Sequence, residues 1–146
     1  MTADQADPRP ASPAEFREVL DRAFAMMSED PEMGRRLREA DVPQRFAFTD
    51  VDLVFNVRSG RESEDANLVW QWSDDVDWEP RVRMAMTCDV AVRYFQGKEN
   101  IALALARRRI KASGDIKAAL GLIPLVRPVW APYREMLEAE YPHLVA

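Results

Sequence analysis

Few side chains in this 146-residue sequence stand where they could do covalent chemistry. His143 is the sole histidine and lies near the C-terminal end, where fraying is expected. Without a second histidine, neither a histidine-based triad nor a histidine zinc site can form, and no G-x-S-x-G or H-E-x-x-H run occurs. Cys88 is the sole cysteine, with no histidine near it in sequence. It reads as a buried structural thiol at a strand-to-helix junction. The glycines at 34, 60, 97, 114 and 121 form neither a phosphate loop nor a dinucleotide fingerprint. Asp75, Asp77 and Glu79 alternate as in the first half of a calcium loop. Pro80 stands where that loop needs glycine and Met86 where it needs the bidentate glutamate, so a solvated hairpin loop is the reading. An enzyme would have to rely on Asp50 or Asp52.

One basic cluster stands out, Arg107-Arg108-Arg109 with Lys111. It suits a solvated helix end, where cations meet the negative pole of the helix dipole. It also suits a patch on anionic lipid headgroups, at about 1 kcal/mol per residue near the surface. The apolar inventory is rich, with seven methionines, four tryptophans and six phenylalanines. Methionine adapts to irregular shapes, and such a set serves an ordinary core or the wall of a hydrophobic ligand site.

The elements that position these residues follow from periodicity. Residues 1–11 are polar, contain prolines and read as a disordered lead-in, with one domain over 12–146. Ser12-Pro13-Ala14-Glu15 is a helix start, followed by Phe16, Leu20, Phe24 and Met27 at helical spacing. Asp30-Pro31 starts a second helix that ends before Pro43. The period then becomes two: Phe46 and Phe48, Leu53 to Val57, Leu68 to Trp72, and Val82 to Met86 predict four strands in an antiparallel meander. Asp89 is expected to cap a helix that stops at Gly97, and Asn100 caps the next, Ile101 to Arg107. Arg109 to Ala112 reads as the last strand, and Asp115 caps a helix carrying Ile116, Leu120 and Ile123. Trp130, Tyr133, Leu137 and Tyr141 mark a terminal helix. Segregated strands and helices give an α+β fold.

The length suits one domain, and 47% apolar with 31% charged residues describes a globular chain. A net charge of −5 argues against a general nucleic-acid binder, which needs a basic surface to release counterions. No apolar run reaches the roughly 20 residues of a membrane span, and no signal or organelle-targeting pattern is present. The single cysteine gives no sign of an oxidising compartment, so a cytoplasmic location is expected.

Three ordered blocks carry a resemblance. They are Arg83-Met84-Ala85-Met86-Thr87-Cys88-Asp89, Tyr94-Phe95-Gln96-Gly97-Lys98-Glu99-Asn100, and Arg109-Ile110-Lys111-Ala112-Ser113-Gly114-Asp115. In this order and spacing, preceded by Phe46 to Phe48, Leu53 to Arg58 and Leu68 to Ser73, the chain resembles the sterol carrier protein 2 family over about residues 44–123. Arg108-Arg109 departs from the Gly-Lys that the family often places before the last strand. The resemblance implies a bacterial single-domain member with a five-stranded, mostly antiparallel sheet covered by helices around an apolar tunnel. It implies binding of a sterol, fatty acid or fatty acyl-CoA, with no catalytic residue, metal or cofactor.

Periodicity then nominates the lining: Met84 and Met86 from the sheet, Val92 and Phe95, and Ile101, Leu103 and Leu105 from the two helices that follow. Leu120, Ile123 and Val126 form a C-terminal cover. Arg107, Arg108 and Arg109 are candidates for a headgroup or a CoA phosphate. Expected partners are a hydrophobic lipid and, transiently, a membrane surface or a lipid-metabolising enzyme, with a homodimer also compatible. The competing reading is an accessory dimerisation or scaffold module with a filled cavity, for which Trp72, Trp78 and Trp130 would be the partner-facing anchors.

Overall fold

A computed structural model describes residues 8–146. Seven of the eleven positions read as a lead-in therefore lie outside the described residues. Pro8 is already buried, and the backbone N–H of Ala11 donates to Glu15 at 2.9 Å.

Side-chain caps start four of the helices where the sequence places them. Ser12 accepts the Glu15 N–H (3.1 Å) at the start of α1, Pro13–Glu29, and Asp30 accepts the Met33 N–H (2.8 Å) for α2, Pro31–Ala40. Asn100 accepts from Leu103 N–H for α4, Ile101–Ala106, and Asp115 from Ala118 N–H for α5, Ile116–Gly121, both at 3.0 Å. The remaining helix of this middle region, α3, spans Cys88–Tyr94 and begins two residues earlier than an Asp89 cap would allow. Asp89 instead sits in its first turn, bonded to the Thr87 hydroxyl. The Cys88 N–H is satisfied from outside the helix, by the Asp50 carboxylate at 3.0 Å. Pro124 sits in the short α6, Ile123–Val126. After one 3₁₀ turn, α7 spans Trp130–Glu140.

Five strands form one sheet: β1 Gln44–Phe48, β2 Leu53–Ser59, β3 Leu68–Gln71, β4 Val82–Met86 and β5 Lys111–Gly114, in the order β3-β2-β1-β4-β5. Three of the four pairings are antiparallel, but β4 lies parallel to β1, with Phe46 opposite Met84 and Phe48 opposite Met86. The four-strand meander therefore holds only for β1 to β3. The stretch between β1 and β4 is long enough to carry the chain back across the sheet, as a parallel pair requires. β5 starts two residues later than the sequence suggested. The N–H groups of Arg109 and Ile110 both turn back onto the Ala104 carbonyl (2.8 and 3.2 Å), so these residues belong to the end of α4.

Alternation assigns the two sheet faces. Phe46, Phe48, Phe55, Val57, Met84 and Met86 face the helices, and α1 packs Phe16 against Phe48 (4.6 Å between ring centres) and Phe24 against Phe55 (4.8 Å). Arg45, Asn56, Arg58, Arg83 and Lys111 take the opposite face. The C-terminal end is held rather than frayed: Leu144 is fully buried, His143 Nε2 lies 2.6 Å from Glu15, and Gln96 bonds both the Leu144 carbonyl (2.9 Å) and the Ala146 N–H (2.8 Å).

The tryptophans are engaged within the fold. Trp72 packs edge-on against Phe16 and Phe55, and its indole N–H shares the Asp21 carboxylate with Trp70 (2.7 and 3.0 Å). Trp78 lies under the Arg58 guanidinium, and Trp130 lies against Tyr94 and under Arg127. None of the three is exposed.

Arg58 also makes a bidentate pair with Glu64 (2.7 and 3.0 Å), whose carboxylate takes the Arg61 N–H as well. The Arg58 hydrogen bonds, helped by that N–H, hold the Glu64 pKa down at about 2. A depressed carboxylate contributes stability that is complete above its unfolded pKa and is lost as pH falls through the folded value. Acid titration of Glu64→Gln should therefore show a shallower loss of stability than the wild type between about pH 4.5 and pH 2. Parallel curves over that window would remove Glu64 from the acid response.

Candidate functional site: an apolar cavity between sheet and helices

The sheet face and the helices do not close on each other completely. They enclose a cavity of about 100 Å³. Its floor is Phe46 and Phe48 from β1, Val57 from β2, Met84 and Met86 from β4, and Ala112 from β5. Leu20, Phe24 and Met27 of α1 and Leu37 of α2 form one wall. Val90, Ala91, Tyr94 and Phe95 form the second, from α3 and the residue after it. Ile101 and Leu105 of α4 and Ile116, Ala119 and Leu120 of α5, with Leu122, Ile123 and Val126, close the remaining side.

Among the lining residues only Gln44, Arg58, Ser59 and Tyr94 are polar, the Arg58 guanidinium lying on the opposite face of the sheet, and two of these are already committed. Ser59 donates to the Leu37 carbonyl (3.2 Å) and Arg58 is held by Glu64. Burial pushes the Tyr94 phenol up to about 12, so it stays neutral at ordinary pH. The cavity offers apolar contact and almost no charge, which suits a hydrocarbon ligand.

The walls are unequal. Leu20, Phe24, Met27, Phe48 and Val57 are at most 5% exposed, and α1 is a fixed part of the core. In contrast, α5 has no buried residue, and Leu120 lines the cavity while remaining 38% exposed. The cavity therefore reaches the surface beside α5, its mouth bordered by the thinnest piece of the fold.

Eight of the ten positions nominated from the sequence line this cavity: Met84, Met86, Phe95, Ile101, Leu105, Leu120, Ile123 and Val126. Two do not. Val92 is 1% exposed but sits behind the wall, because the lining face of α3 runs through Val90, Ala91 and Tyr94 and Val92 falls about 100° beyond Ala91. Leu103 is 44% exposed. Ile101 and Leu105 are four apart and share the inner face of α4, which turns the residue midway between them outward. Sequence reasoning missed the α1 wall, although the Phe16, Leu20, Phe24 and Met27 stripe was its signal. It also missed Ile110, Ala112 and Ile116, which alternate or step helically around the last strand.

None of Arg107, Arg108 and Arg109 lines the cavity. Arg109 forms a bidentate pair with Glu99 (2.8 and 3.0 Å), while Arg107 and Arg108 are exposed at the end of α4. Cys88 is outside the lining too. Burial pushes its thiol pKa up and Asp50 beside it pushes the same way, which leaves an inert thiol. Asp50 is occupied in capping α3.

No protein-family model matches the sequence, and no curated protein does. Solved structures do match in fold. UbiJ-SCP2, a ubiquinone synthesis protein, superposes with a TM-score of 0.59 at 8% identity, covering 83% of this chain and 95% of that one. The apo form of sterol carrier protein 2 from Yarrowia lipolytica gives 0.52 at 9%, covering 78% and 88%. The stereoselective inverting sec-alkylsulfatase Pisa1 from Pseudomonas sp. gives 0.57 at 14%, covering 70% of this chain. The match spans 15% of the sulfatase's length, so there the same fold is a small part of a much longer enzyme. The chain has a sterol carrier protein 2-like fold: α+β, with a five-stranded mixed sheet and helices.

Proposed function

We propose that this protein is a non-catalytic lipid carrier that holds a single acyl or similarly apolar chain in the cavity between sheet and helices. The observation that carries the reading is the cavity itself, an unfilled apolar space walled by residues from every layer of the fold, with two of its four polar residues already committed elsewhere. Interiors are ordinarily packed to crystal density, so a void of this kind inside a domain of 146 residues is costly unless something occupies it. Among the fold neighbours, one is named as a sterol carrier and one for ubiquinone synthesis, names in keeping with an apolar ligand.

The energetics fit a carrier. Burying about 14 methylenes at roughly 0.8 kcal/mol each gives on the order of 11 kcal/mol gross. Association and ordering costs leave roughly micromolar affinity, tight enough to extract a lipid and loose enough to release it. Ligand sites commonly measure about 300–1,000 Å³, so the walls must yield on binding. Met84 and Met86, with their flexible side chains, and the lightly packed α5 are the parts that can give. A fatty acid, a fatty acyl-CoA and a sterol-like molecule all satisfy this chemistry, and a cytoplasmic site of action is part of the proposal.

Titration with a fluorescent long-chain fatty acid tests the reading. Saturable one-to-one binding in the micromolar range is expected, and no binding at tens of micromolar would overturn it. A second reading has one observation in its favour, the sulfatase in which this fold is part of a much longer chain. On that reading the domain is an accessory module for a lipid-modifying enzyme. Trp72, Trp78 and Trp130, the anchors it would use, are half-buried and already make contacts within the fold.

A further inference from the structure

The least covered wall of the cavity belongs to the most basic stretch of the chain. Seven of the twenty lysines and arginines, but only two of the twenty-five acids, fall between positions 98 and 127, in a chain of net charge −5. Both acids are engaged, Glu99 by Arg109 and Asp115 by Arg81. Among the described residues no ion pair engages Lys98, Arg107, Arg108, Lys111 or Lys117, and all five are exposed. The same stretch carries the two exposed large hydrophobic residues of the described chain, Leu103 at 44% and Leu120 at 38%. Each lies one helical turn from a cation: Leu103 of α4 precedes Arg107, which caps that helix, by four, and Lys117 precedes Leu120 by three on α5.

Arg108 adds an independent sign. Its φ of 60° is left-handed, a conformation that glycine takes freely and a Cβ resists. The chain holds an exposed arginine there, in a backbone state that costs stability, at the turn that ends α4.

We propose that this face docks the cavity mouth onto an anionic lipid bilayer. Arg107, Arg108 and Lys117 meet the phosphates while Leu103 and Leu120 enter the acyl boundary. A basic face studded with exposed leucines suits an interfacial contact, whereas an acidic peptide would use the cations and leave the leucines unspent. The charge asymmetry also orients the molecule, since the acidic remainder is repelled by the same surface that attracts this face. A lipid leaving the cavity beside α5 then passes into the membrane without crossing water. The proposal deepens the lipid-carrier reading and rests on it for its purpose.

Co-sedimentation with vesicles of phosphatidylcholine, alone or containing phosphatidylglycerol, provides the test. The wild type should bind the anionic vesicles, release them as salt is raised, and bind neutral vesicles weakly. Arg107→Gln and Arg108→Gly should each weaken anionic-vesicle binding about fivefold, and the double variant roughly 30-fold. Arg108→Gly should at the same time raise the melting temperature, because glycine relieves the left-handed strain, so its loss of vesicle binding cannot come from misfolding. Leu103→Ser should weaken vesicle binding without touching the cavity. Anionic-vesicle binding unchanged in the double variant, or no preference for anionic over neutral vesicles, overturns the docking face. The fluorescent fatty acid, titrated into the same proteins, separates the two claims. Cargo binding without vesicle binding refutes docking alone, and vesicle binding without cargo refutes the carrier while leaving the docking face intact.

Discussion

Leu105→Trp is expected to weaken binding of a fluorescent long-chain fatty acid by more than tenfold while the protein stays folded. Leu105 lines the cavity from α4 and is only half-buried, so the larger indole fills the void from a helix that has room to shift outward. A cavity of about 100 Å³ accepts the added ring without the strain that overpacking causes in a closed core. The melting temperature should move by no more than a few degrees, and tenfold in affinity corresponds to about 1.4 kcal/mol. Leu103→Trp on the same helix is the control. It points outward at 44% exposure and should leave fatty-acid affinity unchanged. Loss of affinity in both variants, or in neither, would separate the cavity from the binding. If the interior were filled by its own side chains, Leu105→Trp would instead mainly destabilise.

The largest effect on stability is expected at Gly97. It ends α3 with φ at +74°, its N–H donates to the Tyr94 carbonyl at 2.9 Å, and the Lys98 N–H returns to the Arg93 carbonyl at 2.9 Å. A Cβ placed there would stand 2.5 Å from the Trp130 ring. Gly97→Ala therefore meets two independent penalties, the left-handed backbone and a collision with an indole held between Tyr94 and Arg127. Together these cost roughly 2–5 kcal/mol. Thermal unfolding should show a midpoint lower by on the order of 10 °C. A loss under about 2 °C would mean that α7 moves aside freely and that Trp130 does not fix the end of α3.

Gly97 also shows which parts of the fold were legible in the sequence. Local signals were read correctly wherever one residue settles its own neighbourhood. The caps at Ser12, Asp30, Asn100 and Asp115 act within three residues, and each does so in the structure. Asp89 misled for the same kind of reason. It looks like a cap, but the donor of α3 is satisfied by Asp50, 38 residues away, and no local pattern reports that. Strand pairing is likewise non-local. The alternation of Val82, Met84 and Met86 gives a strand and its inner face, but not that it lies parallel to β1.

The cavity was partly legible. Met84 with Met86, and Ile101 with Leu105, each follow the period of their element, and those pairs share one face of it. Periodicity also nominates Leu103 and Val92, but their phase on the helix differs from that of the lining residues, and the structure turns one outward and places the other behind the wall. Cavity volume and the thinness of α5 come from how layers meet, which the amphipathic pattern of any single element does not encode.

The carrier reading stands or falls on whether the cavity is occupied by a lipid. Native mass spectrometry of the purified protein, followed by organic extraction of the same sample, tests this directly. The expected result is a stoichiometric adduct that is released on denaturation and identified as a fatty acid, an acyl-CoA or a sterol-like molecule, and that is absent from Leu105→Trp. A clean mass with no adduct, together with no uptake of the fluorescent fatty acid at tens of micromolar, would contradict the account. The cavity would then be a packing void of an accessory module.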